Sequence, residues 1–331
     1  MTNFQVYRKT LSFSLLMFLV DLLILVVLAG GATAGFFIGF NAVSASGDAQ
    51  AVAGIVGLLI GFIIGIVGAV LINIFILNRI KAAQIAMMVK GVTEGNLPDK
   101  TFHAGFEEVK GRFGSITLFF FITNAIKSVF RQIGRGINKV GTALGGDTGN
   151  TITSVIDSAI QTLIGYLCDC CLGWILFRKD QNAARAGCEG AVIFFRSGKT
   201  LFRNIGRIFG MGFLSFIVIG GALFGLNYLI FSSVPQLSQA LFEAVQKIAT
   251  EDGGTVPEIL STPALVNVVI AIFIAVFMWS TLHSVLVRPF ILVGVMRNYM
   301  AAGQASMPTE AEFEEVARKA PKLRKLQEKI Q

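Results

Sequence analysis

Charge is scarce in this chain. Asp, Glu, Lys and Arg make up 15% of its 331 residues, against 54% hydrophobic. That balance excludes a disordered chain and disfavours an ordinary soluble domain. Histidine occurs twice, as His103 and His283, which excludes a histidine-rich metal centre. The four cysteines, Cys168, Cys170, Cys171 and Cys188, follow a C-x-C-C pattern with a distant fourth. That is no standard zinc spacing. Inert packing thiols, palmitoylation, and metal or redox chemistry stay open for them. Ser197-Gly198-Lys199-Thr200 resembles the end of a phosphate-binding loop, but Ile193 stands where the first glycine belongs and no strand precedes it. G-x-S-x-G, H-E-x-x-H and a triad are all missing. No enzyme and no cofactor are expected. The polar stretches, about 30 to 40 residues, are too short for a soluble domain of their own.

What is present in quantity is apolar sequence. Runs over 11–40, 51–77, 205–231 and 264–296 each exceed the ~20 residues a helix needs to cross the hydrocarbon core. The expected fold is all-α: a polytopic transmembrane helical bundle of four to six spans. Residues 1–306 would form a single membrane domain and 307–331 a cytoplasmic helical tail. The first run follows Arg8 and Lys9 and precedes Val43-Ser44-Ala45, like a signal peptide. It is far longer than a ~7–15-residue signal core, so it reads as a retained signal-anchor helix.

Loop charge sets the orientation. The loop 41–50 holds no Lys or Arg, and 232–263 holds only Lys247. By contrast 78–114 holds six and 178–207 holds seven. The positive-inside rule then makes both termini cytoplasmic and puts 41–50 and 232–263 outside. The net charge of +8 fits loops on anionic lipid of the cytoplasmic leaflet and no nucleic-acid motif accompanies it. The membrane is a plasma membrane or a bacterial inner membrane.

The segment 115–177 leaves the span count open: 116–126 and 151–177 both cross, or neither does. Lys127, Arg131, Arg135 and Lys139 recur every four residues and form one cationic stripe opposite an apolar face. This predicts a basic amphipathic helix at the membrane interface, binding lipid headgroups, and favours four spans. A further amphipathic helix is expected after Pro235, ending before Gly253-Gly254. Thr309 and Glu312 form a capping box for a tail helix that Pro321 breaks.

Glycine is patterned. Gly31, Gly35 and Gly39 repeat at four-residue spacing, as do Gly57, Gly61 and Gly65; Gly206/Gly210 and Gly221/Gly225 follow suit. Small residues so spaced let helices approach closely in lipid. Tight packing, a sliding seam in a transporter and a glycine-lined oligomeric channel all remain open, and with them a homo-oligomer. Asp21 lies about ten residues, ~15 Å, into the first run. It is either an intramembrane carboxylate with a function or a headgroup-zone residue. Tyr228, His283 and Arg288 are further transport candidates, Arg288 either snorkelling to the surface or pairing with Asp169.

The stretch 113–231 resembles the C-terminal half of the choline transporter-like family. Phe113-Gly114-Ser115-Ile116 is followed by the basic stripe and by Cys168-Asp169-Cys170-Cys171-Leu172-Gly173-Trp174. Next come Asn182-Ala183, Ser197, and the run Leu201-Phe202-Arg203-Asn204-Ile205-Gly206-Arg207. Ile175 and Leu176 stand where that family has an acidic residue. The resemblance covers about a third of the chain and implies a permease for choline or a similar small organic cation. It makes Asn182, Ser197, Arg203, Asn204 and Arg207 motif residues. The alternative is a membrane scaffold that grips anionic lipid and transports nothing.

Overall fold

The computed structural model describes residues 1–43, 48–113, 124, 128, 149–196, 198–250 and 260–319. Every regular element among them is helical. They divide into two compact units, Met1–Ile205 with Leu292–Gln331, and Gly206–Ile291. The stripe Lys127, Arg131, Arg135 and Lys139 lies outside the described residues, and so does Ser197.

The first unit is built on a helical hairpin. Helix α1 (Asn3–Ala42) starts at a reciprocal cap: Gln5 N–H donates to Thr2 Oγ1 at 3.2 Å and Thr2 N–H to Gln5 Oε1 at 2.8 Å. Helix α2 (Asp48–Ile72) continues through a π segment, Asn73–Leu77, into α3 (Asn78–Thr93). Sequence hydropathy reads 78–114 as a loop. It is instead α3 followed by α4 (Thr101–Phe113), because its apolar residues face protein. At 1.5 Å per residue α1 is about 60 Å long, twice the hydrocarbon thickness.

The hairpin therefore has two halves with different surroundings. Over 22–42 and 49–72 the two helices pack on each other, and Val26, Ile38, Ile63 and Ile64 stay 60 to 71% exposed. Apolar surface on that scale is untenable in water and calls for lipid. The glycines of the two helices face each other. A Cβ on Gly31 would stand 2.7 Å from Gly61 O, and one on Gly35 or Gly61 would overlap the opposing backbone. These glycines thus serve close packing within the chain.

The other half of the hairpin is buried in protein. Phe13 is fully buried and stacks on Phe102 of α4, ring centroids 4.9 Å apart. Gln84 donates to Ser14 Oγ at 2.7 Å and to Thr10 O at 3.2 Å. Helix α5 (Gly149–Phe177) and α6 (Ala183–Arg196) complete this core with the end of the chain. Trp174, Ile193, Met296 and Tyr299 are buried there, and Gly303 leaves room for the Trp174 ring. The tail expected from 307 onward belongs to the same unit: Phe313 is buried, and Arg185 and Arg196 of α6 hold Glu310 and Glu312 at 3.0 and 3.3 Å.

The second unit contains the end of α7 (Gly198–Ser215), a π segment over Phe216–Gly220, and α8 (Gly221–Ser233). Helix α9 (Pro235–Thr250) is the expected amphipathic helix. Helix α10 (Pro263–Leu282) runs into a third π segment, His283–Val287, and then α11 (Arg288–Ala305). Asn267 of α10 donates to Ser238 Oγ of α9 at 2.8 Å.

Four helices among the described residues are long and apolar enough to cross a membrane: Asn3–Ala42, Ala49–Thr93, Gly206–Ser233 and Pro263–Ala305. Gln161–Phe177 is apolar but shorter. The protein is an all-helical, multi-pass membrane protein.

Candidate functional site

Polar side chains inside apolar helices are the first place to look for chemistry, since each costs free energy in lipid unless it is partnered. In the second unit three of them meet. Ser215 Oγ donates to Gly212 O at 2.7 Å. It accepts from Trp279 Nε1 at 3.3 Å and lies 3.1 Å from His283 Nδ1. Trp279 sits edge-on to Phe216, centroids 5.0 Å apart, and 5.2 Å from the His283 ring.

Backbone irregularity coincides with this cluster. The π segment Phe216–Gly220 begins directly after Ser215, and the π segment His283–Val287 begins at His283. A π segment carries an extra residue per turn and tends to occur where function requires it. Here one opens at His283 and the other directly after its hydrogen-bond partner Ser215. From Pro263 to His283 is about 30 Å of helix, one hydrocarbon thickness. A bilayer that begins at Pro263 would therefore end near this cluster.

The other sequence candidates fall elsewhere. Asp21 is exposed on α1. From Asp21 to the helix end at Ala42 is about 31 Å, so a bilayer reaching that end leaves the carboxylate at its opposite edge. Tyr228 stacks on Phe224 at 6.1 Å within α8. Arg288 opens α11 just past the π segment. The Asp169 carboxylate, suggested as its partner, is held by Lys81 Nζ at 2.6 Å. Arg203 and Asn204 lie on α7, and Arg207 is exposed there. Asn182 precedes α6, its carbonyl accepting from Ala186 N–H at 3.0 Å.

Sequence reasoning singled out His283 and the polar run around it but passed over Ser215. The signal was available: Ser215 is the one hydroxyl or amide side chain between Asn204 and Asn227.

The cysteine-rich segment is packed inside the first unit. All four thiols are buried and unbridged. Burial pushes Cys170 and Cys171 well up, and Cys188 to about 12, with Glu189 adding to the last. Thiols held protonated this strongly are poor nucleophiles, and no cluster among the described residues could hold a metal. Beside them Glu189 accepts from Trp174 Nε1 at 3.0 Å and from Arg178 Nη1 at 2.9 Å. Arg112 donates to Ile175 O at 2.9 Å and Gln181 O at 2.7 Å, closing the end of α5. Burial lowers the pKa of Arg112, and the nearby Asp180 opposes that shift.

Three comparisons place no known protein beside this arrangement: no family model, no curated protein and no solved structure matches the chain.

Proposed function

We propose that this protein is a multi-pass permease that moves a small organic cation, choline or a similar amine, and that Trp279 and His283, oriented by Ser215, contact the cargo. The observation that carries the reading is the pair of π segments, one beginning directly after Ser215 and one at His283, whose side chains are joined by a hydrogen bond. An ionisable side chain within an apolar helix, here His283, is a functional candidate by default. The aromatic faces of Trp279 and Phe216 offer the electron density that attracts a cation. The resemblance of 113–231 to the choline transporter-like family points the same way.

In this reading both termini and the basic segments lie on the cytoplasmic side, against anionic lipid. The hairpin tip near 43–48 and the α9 segment lie outside. Asp21 draws cations toward the membrane surface, an electrostatic effect that salt weakens.

Uptake of labelled choline and related amines into vesicles holding the purified chain tests the proposal. Saturable uptake is expected, with Asp21→Asn raising KM more than it lowers the maximal rate. An absence of uptake for every amine, with the protein folded and inserted, removes the permease reading. The scaffold reading then takes its place, testable by salt-sensitive retention of the whole chain's basic face on anionic vesicles.

A further inference from the structure

Hydrogen-bond arithmetic at Ser215 goes further than the presence of a polar cluster. A serine hydroxyl has one proton and two acceptor lone pairs. Its shortest bond, 2.7 Å to Gly212 O, uses the proton. The indole Nε1 is a donor only, so Trp279 at 3.3 Å occupies one lone pair. The other lone pair faces His283 Nδ1 at 3.1 Å. Two acceptors cannot share that line, so Nδ1 carries a hydrogen. In a neutral imidazole the second nitrogen, Nε2, is then an acceptor. Among the described residues nothing bonds to Nε2. The ring is half-buried, and its Cε1 edge borders Gly212, where even a Cβ would lie 3.7 Å away.

We propose that Ser215 and Trp279 fix His283 with Nδ1 protonated, so that Nε2 selects cargo amines that carry an N–H over quaternary ammonium. This rests on the permease reading and names the substrate class of the same site. A primary, secondary or tertiary ammonium donates its N–H to Nε2 while its charge lies over the Trp279 and Phe216 rings. A quaternary ammonium keeps the ring contacts but has no hydrogen to give. Leaving a polar acceptor unmatched is the stronger form of discrimination. One hydrogen bond to a charged group corresponds to roughly tenfold to hundredfold in KM. Ser215 is a positioning residue: it acts on cargo through the imidazole, whereas Trp279 both orients that ring and meets the charge.

Two measurements on the full chain test this. The first is vesicle uptake of 2-aminoethanol and its N-methyl, N,N-dimethyl and N,N,N-trimethyl derivatives. KM is expected to be similar for the first three and roughly tenfold or more higher for the last. His283→Phe keeps an aromatic ring without the acceptor. It should erase that difference by raising KM for the first three amines towards that of the trimethyl compound, and thermal unfolding in detergent reports that the variant folds. Ser215→Ala should narrow the difference through KM, and Ser215→Thr should restore it. The second is nitrogen-15 NMR of histidine-labelled protein carrying His103→Gln, where the Nδ1–H tautomer is expected. Equal KM across the series, or an Nε2–H tautomer, overturns the inference and leaves the permease reading standing. No uptake of any amine overturns the permease reading and the selectivity with it, whichever tautomer the NMR finds.

Discussion

At Gly35 a single methyl group decides whether two helices can meet. A Cβ there would overlap the Gly57 carbonyl, and one at Gly61 would overlap Gly31, both rigid backbone. Gly35→Ala and Gly61→Ala should each destabilise the hairpin by about 1–3 kcal/mol, the usual range for overpacking. Gly210 repeats at the same four-residue spacing, yet nothing lies within 4 Å of its added Cβ. Gly210→Ala should be neutral or stabilise by up to ~1 kcal/mol through helix propensity. Thermal unfolding in detergent compares the three, and equal effects would refute the distinction. A second contrast concerns Glu189, which receives both Trp174 and Arg178. Glu189→Ala should cost about 2–4 kcal/mol, short of a fully orphaned buried charge because Asp180 still holds the guanidinium. A melting temperature unchanged by Glu189→Ala would mean that this network carries no stability. Glycine spacing was therefore legible in the sequence, but its meaning was not. Gly35 and Gly210 look alike along the chain, and only the partner helix separates them.

Among the elements, the tail helix α12 (Glu310–Lys319) is the one whose docking titrates. Glu312 accepts from Thr309 N–H at 2.8 Å and meets Arg196 at 3.3 Å. The backbone bond from Thr309, reinforced by Arg196, holds its carboxyl below the ordinary carboxylate range. A native pKa below the unfolded value stabilises the docked form above the unfolded value, and that contribution is lost as pH falls through the lowered one. A spin label at the exposed Ala311 should be immobile at neutral pH and gain mobility as pH falls below the ordinary carboxylate range. Glu312→Gln should mobilise it already at neutral pH. A wild-type spectrum that ignores pH would mean that Phe313, not charge, holds the tail. The capping box was readable because Thr309 and Glu312 are three residues apart. The partners Arg185 and Arg196 were not, lying over a hundred positions away in sequence. The same limit hid α3: Ile80, Ile85, Met87 and Val89 are buried, but basic residues among them make 78–93 read as a polar loop.

At the scale of the whole molecule, the apolar band and the charge map constrain each other. Four helices are long enough to cross, and an even number of crossings returns the C-terminus to the side of the N-terminus. Hydropathy found those four runs because a lipid-facing helix must be apolar all round. It could not rank 116–126, whose eleven residues are about half a hydrocarbon thickness as helix. If 116–126 and 151–177 both crossed, Lys127, Arg131, Arg135 and Lys139 would lie outside, against the positive-inside rule. A membrane-impermeant maleimide added to intact cells distinguishes the two arrangements. The four native thiols are buried, so the wild type supplies a low background. Ser46→Cys, between α1 and α2 in sequence, should be labelled from outside, and Ser306→Cys should be protected until the membrane is opened. With four spans, Asp147→Cys behaves like Ser306→Cys. Labelling of Asp147→Cys in intact cells would establish six spans, place the cationic stripe outside, and remove it as an anchor to the anionic inner leaflet.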